Sequence, residues 1–351
     1  VTTALVAWAL CAAGFTACTI LALGRSSRRA PAPAAPPVLL LRPADALTPH
    51  ETALLAVPIA YPGDCRQVVV SPTRPPGPAG AGGGWLASDP ATPNRKVGHL
   101  LRALEVLDVG DRIVVVVDSD VRVDGALVAG LAGAIAAGAA LATAAPAPGE
   151  APGLVPRAVR ALLCHTQLSF RALDAISVGA KSICGKAMGL SPAAVEGLRT
   201  MRELVGEDLE LAQWLHERAM PVVMVAAPAV MPQEPGVPPG VARDRFTRWM
   251  QVLRAHRPAL WWLVPVLFTP SLPLLGLGLL VGTPVLPAAL LLWALRTALA
   301  LRLEPRDAWG WPLGEALLLV AFAQSLGRRT VTWRGRRFRL ERGGRMQPVV
   351  T

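Results

Sequence analysis

The sequence predicts an α/β protein with a mostly parallel, doubly wound sheet, set between membrane-spanning helices at its two ends. Three observations carry this expectation. Short runs of aliphatic and β-branched residues alternate with helical patterns between residues 38 and 227, the order that gives parallel pairing. One run, Ile113–Val117, has no polar face and reads as a strand buried on both sides. Finally, 52% of the chain is hydrophobic, with long apolar blocks near both ends.

Taken in order, residues 1–23 are almost wholly apolar and are followed by Arg25, Arg28 and Arg29. About 20 such residues span a bilayer. A basic flank on the far side puts the N-terminus outside and the continuing chain inside. A cleaved signal peptide has the reverse order, basic residues before the apolar core, so 1–24 reads as a retained anchor. Residues 25–37 form a basic Pro/Ala linker, semi-rigid and extended. Residues 38–41 are a strand ending at Arg42-Pro43. Thr48-Pro49-His50-Glu51 is a helix start, with an N-cap, Pro at N1 and an acid in the first turn. Residues 67–70 are a second strand. Residues 73–84 are a Pro/Gly loop that matches neither GxGxxG nor GxxxxGK[ST]. After Asn94-Arg95-Lys96, Val97, Leu100, Leu101, Leu104 and Leu107 share one helical face. The central strand, 111–117, ends in Asp118-Ser119-Asp120, and Asp124 caps the Ala/Gly-rich helix beyond it. A helix is expected over 157–176, an irregular small-residue segment over 182–190, a short helix from Pro192, a helix opened by Gly206-Glu207-Asp208, and a strand over 221–227. The α/β domain is therefore drawn over 38–240.

Residues 241–258 are amphipathic and basic. Arg243, Arg245, Arg248 and Arg254 accompany Phe246, Trp249, Met250, Val252 and Leu253, as in a helix lying at a membrane surface. Within the block 259–327, residues 260–282 and 284–301 are each long enough to span. Residues 312–326 are short, contain Glu315 and Gln324, and read as re-entrant or interfacial. The Arg-rich tail, 328–351, falls on the cytosolic side by the same charge rule. The expectation is an integral membrane protein, bacterial inner-membrane-like, with its α/β domain on the cytosolic side.

Several classes are excluded. A net charge of +11 would suit nucleic acid, but a single Tyr and the lack of basic–aromatic interleaving speak against that partner. The five cysteines form no CxxC pair and the five histidines no HExxH, so no zinc or redox motif is present. The cysteines read as reduced thiols packed as small hydrophobes. Charged residues are nearly absent from the spans, which disfavours a transporter.

The chemistry is concentrated in two acidic motifs. Ligands of open α/β sheets bind beyond the carboxyl ends of strands. Asp118 and Asp120, one residue apart at such an end, can approach a divalent cation together with phosphate oxygens; an Asp-rich turn is the plainer alternative. Glu207 and Asp208 stand in the first turn of a helix, where the helix dipole alone also accounts for acids.

The ordered set resembles the family 2/21-type glycosyltransferases with a GT-A fold, most nearly ceramide glucosyltransferase and the bacterial hopanoid glycosyltransferases. The resemblance is carried by Leu39-Leu40-Leu41-Arg42-Pro43, Tyr61-Pro62, Asn94-Arg95-Lys96, the run from Asp118 to Val123, and Gly206-Glu207-Asp208. It continues in Arg245-Phe246-Thr247-Arg248-Trp249, the family's (Q/R)xxRW motif, and in the Trp-Arg block from Thr332 to Leu340 with Gly343-Gly344. It implies a Rossmann-like GT-A domain and an inverting transfer from a UDP-sugar, of glucose or N-acetylglucosamine, to a ceramide- or hopanoid-like lipid hydroxyl. Mg²⁺ or Mn²⁺ would be held through Asp120 with Asp118 nearby. Asn94, Lys96, Arg245 and Arg248 would contact the donor, Asp208 would act as general base, and Trp249 would line the acceptor site. One departure stands out. The family carries an acid directly after the second strand, where this sequence reads Val70-Ser71-Pro72-Thr73, with Asp64 and Asp89 as possible substitutes. A catalytically degenerate scaffold of the same fold is the alternative that this departure keeps open. A polysaccharide synthase would need more spans than the C-terminal block offers.

Overall fold

β1 (Val38–Pro43) is buried along its whole length, which accounts for an aliphatic run without alternation. The computed structural model describes residues 1–26, 35–76, 84–150, 153–234, 236–282, 284–333 and 336–349. The chain divides into two compact units, one built from 28–146, 178–232 and 332–351, the other from 1–27, 147–177 and 233–331. The continuous catalytic range drawn from sequence, 38–240, does not anticipate this division, because 147–177 joins the helical unit.

In the first unit β1 pairs in parallel with β2 (Cys65–Ser71). β3 (Gly84–Ala87) lies parallel beyond β2. This strand was not expected, since it emerges from the Pro/Gly loop; residues 77–83 lie outside the described residues. On its other side β1 pairs in parallel with β4 (Ile113–Val117). β5 (Leu141–Pro148) and β6 (Ala187–Leu190) follow, with β6 antiparallel to both β4 and β5. β7 (Val222–Met231) closes a seven-stranded sheet in the order β3-β2-β1-β4-β6-β5-β7. The mostly parallel, Rossmann-like sheet expected of a GT-A domain is thus the architecture observed. The helix Arg95–Val106 buries Val97, Leu100 and Leu101 against the sheet, with Leu104 and Leu107 partly buried beside them. Asn94 caps that helix, Asp124 caps Gly125–Ala136, and Thr48 with Glu51 forms a capping box for Pro49–Leu55. The Arg-rich tail is not an unstructured appendage. It supplies β8 (Thr330–Trp333), β9 (Arg336–Leu340) and β10 (Met346–Pro348), a three-stranded sheet in the order β10-β9-β8.

The second unit is helical. Thr2–Arg25 and Val285–Leu303 are long and apolar enough to cross a membrane. Ala9, Ala12 and Ala13 of the first meet Leu274 and Ala288, Ala289 and Leu292, small residues that let helices approach closely. The span expected over 260–282 is not one helix. Pro258–Phe268 and Ser271–Val281 are bent by 49° at Thr269-Pro270, as a broken span or a re-entrant pair. A break in an apolar block exposes backbone groups that must be satisfied by protein. Arg296 donates to the Leu267 carbonyl at 2.6 Å, and His165 bonds the Phe268 carbonyl. On the far side of the bend, Glu315 accepts the Ser271 N–H. Arg296 thus serves the carbonyl end of one helix and Glu315 the amide end of the next, the polarity that helix dipoles favour. The helix expected over 157–176 is likewise interrupted, into Leu154–His165, a π-helical turn Leu168–Ala172 and Leu173–Ile176. Gly314 is required where Trp311–Gly327 crosses Leu154–His165, because a Cβ there would lie 2.6 Å from the Ala161 backbone. The cysteines are free, but only Cys164 and Cys184 are buried; Cys11 is exposed, which corrects the expectation of uniform packing.

Candidate active site

Arg42, at the end of β1, sets the floor. Its guanidinium is buried and donates to the carbonyls of Asp118, Ser119 and Val121, at 3.1, 3.4 and 2.8 Å. Ser119 donates to Glu51 at 2.7 Å. These bonds fix the backbone of the turn after β4, leaving the carboxylates of Asp118 and Asp120 to other partners. Burial brings Arg42 down to about 10, against the pull of Asp118, Asp120 and Glu51, so it is charged at neutral pH.

Those other partners are lysines. β6 runs antiparallel to β4 with Val117 opposite Ala187, which sets Lys186 across from Asp118; the Asp118 N–H donates to the Lys186 carbonyl at 3.0 Å. Lys186 Nζ grips Asp120 at 2.8 and 2.7 Å and lies 3.2 Å from Asp118 Oδ2. Lys96 Nζ lies 3.0 Å from Asp118 Oδ1 and 3.0 Å from Glu207 Oε1, and donates to the Gly185 carbonyl. Burial raises the Glu207 carboxyl, but Lys96 outweighs it and holds Glu207 below the usual range.

Asp208, beside Glu207, accepts from the Gly185 N–H at 2.8 Å and from the Leu209 N–H at 2.9 Å. Enclosure, then repulsion from Glu207, push it up to about 6, only partly offset by Lys96 and the two backbone donors. Gly185 leaves these two side chains little room to spare. A Cβ would lie 3.1 Å from Asp208 Oδ2 and 3.2 Å from Lys96 Nζ.

The Glu207–Glu217 helix is braced from two sides. Asn94 is 1% exposed and fully engaged. It accepts from the Val97 N–H and donates to the Leu204 carbonyl at 2.7 Å and to Glu207 at 3.1 Å. The tail supplies the other brace. Val205 N–H donates to the Gly344 carbonyl at 2.9 Å, Met346 N–H to the Glu203 carbonyl at 3.0 Å, and Leu204 and Arg345 form an antiparallel bridge. Gly206, with φ +72°, then turns the chain into the helix.

At the end of β2, Ser71 is bound rather than free: it donates to the Thr73 carbonyl at 2.7 Å and accepts from the Trp85 indole at 3.2 Å. Asp64 precedes β2, at the opposite end of the strand, and pairs with Arg112. Asp89 follows β3 at the carboxyl end and bonds Arg95. Arg95 also pairs with Asp45, which His99 Nε2 meets at 2.9 Å.

Arg245, Arg248 and Trp249 belong to the helical unit, on the helix Pro239–His256. Their spacing places them on one face. All three are half-buried, and Trp249 packs edge-on against Phe246 with ring centres 5.1 Å apart. A different stripe, Thr247, Gln251 and Arg254, bonds Gln324, the Arg328 and Thr330 carbonyls, and the Ser325 and Leu326 carbonyls.

Sequence reading passed over Arg42, Gly185 and Lys186. One signal was present. Of 35 basic residues only three are lysines, at positions 96, 181 and 186, and two of those three pair with the acids of this site.

Among solved structures, the chain is similar to mannosyltransferase PcManGT from Pyrobaculum calidifontis, in complex with GDP-Man and Mn²⁺. Identity is 17%, with 92% of this chain and 99% of that chain covered and a TM-score of 0.46. It is also similar to S. aureus TarS 1-349 in complex with UDP-GlcNAc, at 11% identity, with 90% and 100% covered and a TM-score of 0.34. No curated protein matches the sequence. The match that carries an assignment is with the family model "Glycosyl transferase family 21", over residues 85–346, well over half of the chain. That range begins in β3 and runs through the lysine-paired acids, the apolar helices and the tail that braces them, and the chain belongs to glycosyl transferase family 21.

Proposed function

We propose that this glycosyltransferase moves a hexose, glucose or N-acetylglucosamine, from a UDP-sugar to the hydroxyl of a ceramide- or hopanoid-like membrane lipid, with inversion. The observation that carries the reading is Asp208. It is a carboxylate held by two backbone donors and pushed up to about 6, beside a Glu207 that Lys96 keeps ionised. A general base works best when its pKa lies near the operating pH, and such help contributes about 10²–10⁴-fold. Asp208 takes the lipid hydroxyl's proton as that oxygen attacks the anomeric carbon opposite the departing diphosphate. A single displacement converts an α-linked donor into a β-linked product.

Asp118 and Asp120 are the candidate metal ligands. Both are hard oxygen donors and remain partly exposed, with Asp118 Oδ1 facing Lys96 and Asp118 Oδ2 facing Lys186. Among the described residues no cluster of three or more His, Cys, Asp or Glu offers a closed cage. That combination suits Mg²⁺ or Mn²⁺, which are bound by one or two carboxylates together with substrate phosphates. When bound, the ion neutralises charge on the diphosphate. Lys96 orients Glu207 and Asp118. Asn94, assigned from the resemblance to the donor, is better placed as the residue that positions Glu207. Asp89 is the carboxylate at the correct end of the sheet to serve where Ser71 replaces the family's acid. Arg245 and Arg248 are assigned to the diphosphate, and Trp249 to the acceptor, by the family motif. The two helices able to cross a membrane support a lipid acceptor.

The test is UDP release by the detergent-purified full chain. It is given UDP-glucose or UDP-N-acetylglucosamine, Mg²⁺ or Mn²⁺, and ceramide or a hopanoid polyol, with Asp208→Asn as control. Lipid-dependent release that Asp208→Asn abolishes supports the reading. Release indifferent to that substitution, or no release with any pair, overturns it and favours the degenerate scaffold.

A further inference from the structure

The two ammonium groups of the site are held in different ways. Lys96 is locked among Asp118, Glu207 and the Gly185 carbonyl, with its side chain 14% exposed. Burial acts to discharge it, but the two carboxylates prevail and hold it above lysine's ordinary range. Lys186 is 20% exposed, and its ammonium engages both oxygens of Asp120 as well as Asp118 Oδ2. Its backbone is pinned by the Asp118 N–H, so its head can leave while its Cα stays in place.

This arrangement has a chemical consequence. A divalent cation bound through Asp120 needs oxygen lone pairs that the Lys186 ammonium already engages, so the two cations compete. An ammonium displaced from Asp120 keeps its four-carbon stem and its charge, and the anion that arrives with a nucleotide sugar is a diphosphate. Residue choice points the same way. The chain uses arginine for nearly all its positive charge, yet keeps lysine here. A guanidinium is a planar fork that holds carboxylates bidentately; an ammonium is a compact point charge on a flexible stem. The second is the better occupant of a position that must be vacated.

We infer that Lys186 is a displaceable counter-ion. Without donor it fills the cation position between Asp118 and Asp120. On donor binding it yields that position and carries its charge to the diphosphate, where it opposes the charge left on the departing nucleotide. This rests on the reading that Asp118 and Asp120 face the diphosphate.

The test is Mn²⁺ titration of the detergent-purified full chain, followed by electron paramagnetic resonance with and without UDP. Wild type, Lys186→Met, Lys186→Gln and Asp120→Asn are compared. Without UDP, both Lys186 variants should bind Mn²⁺ about tenfold more tightly than wild type, within the usual range for coupled sites. With UDP that advantage should shrink or reverse. Asp120→Asn should lose Mn²⁺ binding in both conditions. If the Lys186 variants bind Mn²⁺ no more tightly than wild type while Asp120→Asn loses it, the counter-ion is not displaced and only the diphosphate reading survives. If Asp120→Asn titrates like wild type, both fall. A measurement on the unmutated chain guards against misfolded variants. Labelling of Lys186 by an amine reagent, read by mass spectrometry, should speed up when Mn²⁺ is added and slow again with Mn²⁺ and UDP together. A labelling rate unmoved by Mn²⁺ overturns the inference.

Discussion

The molecule holds two clusters of buried and half-buried ionisable groups, and they are built on opposite plans. In the sheet unit, Asp118, Asp120 and Glu207 pair with Lys96 and Lys186, side chain to side chain, with 6–25% of each side chain exposed. In the helical unit, Arg296, His165 and Glu315 are 2%, 4% and 0% exposed, and their bonds go to the backbone at the Thr269-Pro270 bend. Side-chain partners can be exchanged for a ligand, whereas backbone partners cannot. The first cluster is therefore fitted for chemistry and the second for holding a helix break closed. Charge in an apolar block is often read as a functional signal; here the partners decide otherwise.

Substitutions can break this comparison or sharpen it. The largest effect is expected for Asp208→Asn, a loss of about 10²–10⁴ in kcat/KM with the fold intact. The sign of its stability effect is opposite. Asp208 is raised to about 6, so its ionisation opposes folding as pH climbs from the ordinary carboxylate range through 6. The variant should gain on the order of 1 kcal/mol at neutral pH, discounted for partial exposure, seen as a higher thermal midpoint. Next comes Arg296→Met. It strips the Leu267 carbonyl and should destabilise by about 3 kcal/mol, read by thermal unfolding, while the kcat of the folded fraction stays unchanged. A kcat loss as large as that of Asp208→Asn would erase the distinction between the clusters. Smaller is Gly185→Ala, which crowds Asp208 and Lys96 by a few tenths of an ångström and should lower kcat about tenfold with little change in melting temperature. Smallest is Glu207→Gln. Removing its charge takes away the second cause of Asp208's raised pKa, so the acidic limb of the kcat/KM profile, expected near pH 6, should move to lower pH. A shift to higher pH would show that Lys96, not Glu207, governs that carboxylate.

Much of the fold was legible because it rests on local rules. The aliphatic runs of β1, β2 and β4, the Thr48–Glu51 capping box and the Asn94 and Asp124 caps all follow from nearest neighbours in sequence. The acids of the site were legible for the same reason, since they end a strand and start a helix. What was missed depends on pairing between distant segments. Lys186 acquires its meaning only from the β4–β6 register, and the bond from Asn94 to Glu207 crosses more than a hundred residues, so no local pattern announces it. β3 was hidden by glycine on its leading side, and the tail by its arginines, which hydropathy scores as solvent. The broken helix over 260–282 was obscured by unbroken apolarity, although Pro265 and Pro270 marked the place where a continuous ladder fails.

The bonds from Gly344, Arg345 and Met346 to residues 203–205 also say something about biosynthesis. The Glu207–Glu217 helix precedes the apolar helices of residues 258–327 in the chain, yet the residues that brace its leading edge are encoded beyond them. The backbone just before Asp208 therefore gains its last hydrogen bonds only after those helices have been made.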